Sequence, residues 1–258
     1  MLLKFVIANR LIKLFGMLVK TLSYPFHFIF PKLRFIIPKQ RDPLFKSSAI
    51  YKIPKIIWQT NYTNKVSLPV YCNYLFNRII SPDYEYRYMG DKDMEACLFE
   101  HASKEVFEAF EKLTDGAARA DLWRLFVLNF YGGIYMDIDA HSVWTLSSII
   151  QSSDTEVFLL NKKHYTNYFI ATAPNNPILT DTINLIVENI NNKHIEGGVY
   201  NLTGPSVLNI AIGDKKVNHR YYRITCIQGS FTNEHFQYID KPQGKWTHAK
   251  NHQLLKDL

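Results

Sequence analysis

The stretch from Asp115 to His141, DGAARADLWRLFVLNFYGGIYMDIDAH, constrains the fold more than any other part of the chain. Strong helix formers run unbroken from Ala117 to Asn129, Asp115 is placed to cap their start, and Gly132 and Gly133 to end them. After the glycines, Ile134, Tyr135 and Met136 form the short apolar, partly β-branched run of a buried strand, and Asp137 and Asp139 follow at its end. Ligands of open α/β sheets sit outside the carboxyl ends of the strands, so two acids at that edge have a structural reason to face a ligand.

Residues two apart on an extended chain point the same way. Asp137 and Asp139 therefore make a convergent pair of hard oxygen ligands suited to Mn²⁺ or Mg²⁺, with a diphosphate as the third party. On the preceding helix Asp121 and Arg124 are three residues apart and share a face, while Leu122, Leu125, Phe126 and Leu128 can pack inward. Alone, that pair would be an ordinary surface ion pair; ahead of the two acids it forms a second polar group aimed at the same place.

In this order the pieces ARADLWRLFVLNFYGGIYMDID resemble the signature of glycosyltransferase family 32: an Ala-Asp-Leu-x-Arg helix, a Gly-Gly-x-Tyr turn and strand, and an Asp-x-Asp ending. The resemblance implies an α/β fold of GT-A type, with a central mixed sheet flanked by helices. It also implies a metal-dependent, retaining transfer of sugar from a nucleotide diphosphate sugar to a glycan or lipid-linked glycan. In that reading Asp139 is the principal metal ligand, Asp137 shares the metal and the ribose, Asp121 accepts from sugar hydroxyls, and Arg124 binds a phosphate or sugar oxygen. The segment IPKIIWQT would place Trp58, Gln59 and Thr60 along the nucleotide, although the family more often has His-Gln where this chain has Trp58 and Gln59. Asn167 would lie near the donor sugar, and Gly204 would belong to a Thr-Gly-Pro turn opening a helix toward the ligand. The family's usual His- and Trp-rich ending is not reproduced around Trp246, His248 and His252, which leaves the third metal ligand unassigned. Two alternatives keep the acids in other roles: a haloacid dehalogenase-like phosphotransferase with an Asp nucleophile, and a sugar-binding protein without turnover.

The remaining pattern places helices over Val66–Ile80, from an Asp91 cap to His101, from Ser103 to Lys112 and over Pro177–Asn191, with strands at Ile56–Trp58, Tyr84–Tyr88, Glu156–Leu160 and Tyr221–Ile227. Residues 51–258 make one catalytic domain without a linker. Residues 1–50 are a leader and connector of different composition. Eleven of the 30 Lys and Arg residues fall in the first 55 positions beside a single acid, Asp42, so the net charge of +7 belongs largely to the leader. From Met1 to Lys20 the pattern is a basic amphipathic helix, with Asn9, Arg10, Lys13, Gly16 and Lys20 opposite a broad apolar face. Tyr24–Pro38, rich in Phe and Pro, is expected to form no long helix and to lie at a headgroup boundary. No apolar run is long enough to span a bilayer, so the leader points to peripheral attachment to an anionic membrane surface, on its cytoplasmic face. Nucleic acid is excluded as a partner because no recognition motif accompanies the charge. Cys72, Cys97 and Cys226 lack metal-site spacing and read as reduced thiols of a cytosolic compartment. Bacterial capsule or lipopolysaccharide synthesis is the acceptor context that the resemblance suggests.

Overall fold

Gly133–Met136, buried along its whole length, is the middle strand of a seven-stranded mixed sheet in the computed structural model, which describes residues 2–46 and 49–256. In chain order the elements are α1 (Leu2–Ile29), β1 (Phe35–Ile36), β2 (Gln40–Arg41), β3 (Ile56–Thr60), β4 (Lys65–Val66), α2 (Leu68–Ile80) and β5 (Glu85–Met89). Then come α3 (Asp91–His101), α4 (Lys104–Lys112), α5 (Gly116–Tyr131), β6 (Gly133–Met136), β7 (Ala140–Ser142), α6 (Leu146–Ile149), β8 (Glu156–Asn161), β9 (His164–Thr172) and α7 (Pro177–Asn191). The last are α8 (Gly198–Leu202), α9 (Pro205–Ile212), β10 (His219–Tyr221), α10 (Tyr222–Thr225), β11 (Cys226–Gln228) and α11 (Glu234–Gln237).

The strand order is β10-β8-β9-β6-β3-β5-β2. β6 is parallel to β3 and antiparallel to β9, so the sheet is mixed about its centre. Side chains alternate across it: Ile57, Ile134, Met136, Val157, Phe169 and Ala171 face one core, and Trp58, Tyr135, Phe158 and Ile170 face the other. The second core is filled by Leu122, Trp123, Phe126 and the apolar faces of α7 and α9, which explains why the strands read as apolar runs. Helix α5 begins as expected, with Asp115 Oδ1 accepting from the Ala117 and Ala118 amides, and ends at Gly132, whose φ of 71° favours glycine.

Three expectations are corrected. The cap of α3 is Gly90, with Asp91 the first helical residue; the Asp93 carboxylate accepts from the Gly90 amide. Tyr221–Ile227 is not one strand. β10 ends the main sheet at Tyr221, one helical turn follows, and β11 pairs instead with β7, because the chain must leave the sheet edge to reach the acid pair. Tyr24–Pro38 does not break the first helix, since α1 continues through Pro25 to Ile29. Pro25 costs α1 one hydrogen bond. Docking sustains that last turn: His27 is buried and its Nε2 accepts from the Leu68 amide.

The side of α1 that faces the domain is the polar one. Asn9 Nδ2 donates to the Arg223 carbonyl at 2.7 Å, Lys20 Nζ donates to the Gly229 carbonyl at 3.1 Å, and Ser23 is buried. A Cβ at Gly16 would lie 2.8 Å from the backbone carbonyl of Ser230, so the helix rests on that strand of chain with nothing between. Alanine favours a helix over glycine by about 1 kcal/mol, but its methyl here meets backbone that cannot rotate away, so overpacking wins. Gly16→Ala is expected to destabilise the protein by about 1–3 kcal/mol and lower the thermal midpoint by several degrees. Gly116→Ala, where a Cβ would meet nothing within 4 Å, does not lower it. Thermal circular dichroism of both variants measures this.

Candidate active site

Arg124 is buried one turn along α5 from Asp121 and is the centre of the site. Its guanidinium lies 3.2 Å from Asp121 Oδ1 and 3.5 Å from Asp137 Oδ1, donates to the Asn167 carbonyl at 2.9 Å, and stacks 4.3 Å from the centre of the Tyr135 ring. Burial opposes its charge, but the Tyr135 side chain and the carboxylates of Asp121, Asp137 and Asp139 hold its pKa above the ordinary value. Asp121 is tied down on both oxygens, accepting from Asn167 Nδ2 at 2.8 Å and from the Thr203 hydroxyl at 3.1 Å. Burial pushes its carboxyl up to about 7, against the pull of Arg124.

The acid pair follows β6. Asp137 Oδ1 accepts from the Tyr135 hydroxyl at 2.7 Å, and its backbone is fixed by Gln59 Nε2 donating to its carbonyl and by its own amide donating to Tyr168. The turn through Asp139 is held by Asn73, which donates to the carbonyls of Ile138 and Ala140, and by Asn77, which donates to that of Ala140. Burial and the neighbouring Asp137 push the Asp139 carboxyl up to about 7. Gln228, from β11, reaches across both acids: its Nε2 donates to Asp137 Oδ2 at 2.7 Å and to Asp139 Oδ1 at 3.3 Å.

Above these groups opens a cavity of about 650 Å³, lined among others by Thr60, Asp121, Asp137, Asn167, Gly204 and Gln228. Asp121, Arg124, Asp137, Asn167, Thr60 and Gly204 are therefore brought together as the sequence suggested, and Asp139 lies one hydrogen bond behind Gln228. Trp58 is not. It is fully buried in the helix-side core, its Nε1 donates to the Gly132 carbonyl at 2.9 Å, and it lies back along β3 from Thr60, the residue at the strand's end that reaches the cavity. Gln59 is likewise fully buried, and it positions Asp137 rather than meeting a ligand. The aromatic side chains that do line the cavity include Tyr62 and Tyr238, stacked on each other with centroids 6.0 Å apart, and Trp246. Gln228 and Tyr238 were not singled out from the sequence, because each sits far along the chain from the groups it meets; Thr203 is the threonine of the Thr-Gly-Pro turn.

An α/β domain of GT-A type, with an Asp-x-Asp pair at the carboxyl edge of its central strand, is what this fold and site define. The chain carries the family-model match for it: residues 69–156 match the family described as glycosyltransferase sugar-binding region containing DXD motif. It is 24% identical over 248 residues to the initiation-specific alpha-1,6-mannosyltransferase of Schizosaccharomyces pombe, covering 84% of this chain and 58% of that relative's length. A solved structure, the PaToxG glycosyltransferase, superposes with a TM-score of 0.51 at 22% identity, covering 63% of this chain and 69% of its own. These findings bear out the resemblance to glycosyltransferase family 32 and the GT-A fold.

The raised carboxyl of Asp121 fixes the sign of a pH effect. Its pKa in the fold, about 7, stands above the ordinary 3.8, so the folded state binds the extra proton, and stability from this group falls as pH rises between those values. Asp121→Asn removes that dependence. Denaturant titrations at pH 5 and pH 8 are expected to show a flatter pH profile for the variant, the difference between the two pH values being about 2–3 kcal/mol. An unchanged slope would mean that Asp121 ionises freely in the fold.

Proposed function

We propose that this protein transfers a sugar from a nucleotide diphosphate sugar to a glycan acceptor, with Mn²⁺ or Mg²⁺ held by Asp137 and Asp139. The observation that carries this reading is the Gln228 amide N–H set between two convergent carboxylates on the floor of a cavity large enough for a nucleotide sugar. A single N–H donor there stands where a cation would be better matched, and hard carboxylate oxygens fit either metal. Rotating the amide presents Gln228 Oε1 instead, a third oxygen beside the pair. A bound cation supplies charge neutralisation as the diphosphate departs.

The chain's own residues do the rest. Arg124 is always charged and aims at the acid pair, so it is placed to bind a phosphate or sugar oxygen. Asp121 and Asn167, with Thr203 holding Asp121 from behind, form a fixed set of acceptors and donors for sugar hydroxyls on the floor of the cavity. For the retaining course that the resemblance implies, the engagement of both Asp121 oxygens favours same-face attack assisted by the leaving diphosphate over a covalent intermediate on that carboxylate. Tyr62 and Tyr238 offer the stacking wall for the base. A capsular or lipopolysaccharide glycan, free or lipid-linked, is the acceptor class, and a mannosyl donor is the first to try because the yeast relative is named for that transfer. The GT-A fold leaves the phosphotransferase alternative without support.

A panel of nucleotide sugars assayed for Mn²⁺-dependent hydrolysis and transfer tests the proposal. One donor is expected to be turned over, and Asp139→Asn to reduce that turnover by about 10³-fold or more with the fold intact, since an amide oxygen is a weaker, uncharged ligand. Metal-dependent transfer at near-normal rate in Asp139→Asn would remove Asp139 from the mechanism. Gln228→Leu is expected to weaken Mn²⁺ binding about tenfold by calorimetry; unchanged affinity would leave Gln228 as a wall residue alone.

A further inference from the structure

Helix α1 docks by its polar side, which leaves its apolar side outward. Leu3, Ile7, Leu11, Leu14, Leu18 and Leu22 form one row along it, each 50–70% exposed. Turning the helix over would bury these side chains but would strand Asn9, Lys20 and His27, whose partners on the domain are specific polar groups, and would lose the close seat of Gly16 on Ser230. The outward row is therefore a stable feature of the folded chain. An apolar strip this long on a folded protein marks a surface that something covers.

Charge decides what covers it. Residues 1–41 hold eight Lys and Arg and no acid. Lys4, Arg10 and Lys13 are exposed on α1, and Lys32 beyond its end. A second copy packed on the strip would bury Lys4, which lies within the apolar row, and crowd Arg10 at its edge, whereas an anionic lipid surface takes the apolar row together with Lys4 and lies within reach of the bases at its flank. No helix among the described residues is long and apolar enough to cross a membrane, so the helix would lie in the plane of the interface.

We infer that the outward face of α1 seats the protein on an anionic lipid surface. The inference does not depend on the sugar-transfer reading, but the two meet in one place. From the inner side of the same helix Lys20 holds the carbonyls of Gly229 and Thr232, and Tyr24 accepts from Asn233. Just past the helix Arg34 clamps Asp240 through two hydrogen bonds of 2.7 Å. That segment continues into Gln237, Tyr238 and Lys241 of the cavity wall. The lipid-facing helix and the cavity thus share a wall, which sets the cavity at a fixed position relative to the surface.

Flotation of the full chain with vesicles of phosphatidylcholine and phosphatidylglycerol, and with phosphatidylcholine alone, tests this. The full chain is expected to float with the anionic vesicles and to be partly released at high ionic strength. Leu11→Glu with Leu18→Glu is expected to cut the bound fraction about tenfold or more, with the thermal midpoint unchanged because both side chains point away from the domain. Lys4→Gln, Arg10→Gln and Lys13→Gln together are expected to remove the preference for phosphatidylglycerol. Failure of the full chain to float, or equal flotation of the leucine variant, overturns the inference. So does a dimer in sedimentation velocity that the leucine variant breaks while no vesicle is bound.

Discussion

The burial of Arg124 is the constraint on which the site depends. A guanidinium cannot shed its proton to escape burial, so the fold must surround it with acceptors. It does so from three elements: Asp121 on its own helix, Asp137 at the end of β6, and the Asn167 carbonyl on β9, with the Tyr135 ring beneath. These are the helix, the central strand and the antiparallel neighbour that define the mixed sheet. One charge therefore fixes the mutual position of the elements that line the cavity floor. Burial, helped by the neighbouring Asp137, pushes Asp121 and Asp139 upward, and the excess of carboxylates over cations makes the floor receptive to a further positive charge.

Much of this floor was legible in the sequence because its logic is local. The Asp115 cap, the glycine stop and the apolar triplet before Asp137 and Asp139 are all set by neighbours in the chain, and the structure reproduces them. Trp58 and Gln59 were misplaced for an equally simple reason. A strand buried on both faces gives no alternation in its composition to say which face a residue takes, and both side chains turned inward. Gln228 was illegible because its role rests on contacts with residues 89 and 91 positions away, made by a short strand that leaves the main sheet.

The first helix shows another limit. Its two faces were plain from spacing, but periodicity says only that the faces differ, and the ordinary expectation puts the apolar one inward. Here specific polar partners outweigh that expectation. Ser67, Phe236 and Leu68 meet one another and His27 near the end of α1, and the Tyr24 ring packs 4.7 Å from Phe236, so the docking is anchored by a few well-matched groups rather than by broad apolar area.

Those groups lie at opposite ends of the chain. Asn9 and Arg223 are 214 residues apart, and Lys20 and Gly229 are 209 apart. During synthesis α1 is therefore made long before the segment that receives its polar side exists, and no local contact can substitute for it. Closing so long a loop comes late in folding, because its entropy must be overcome before any of these contacts forms. Until then the helix has only its nearer partner at the start of α2, where His27 meets Leu68, and the cavity wall from Gly229 to Asp240 has no helix to rest against. The cavity wall and the first helix are thus joined by contacts that close loops of more than 200 residues.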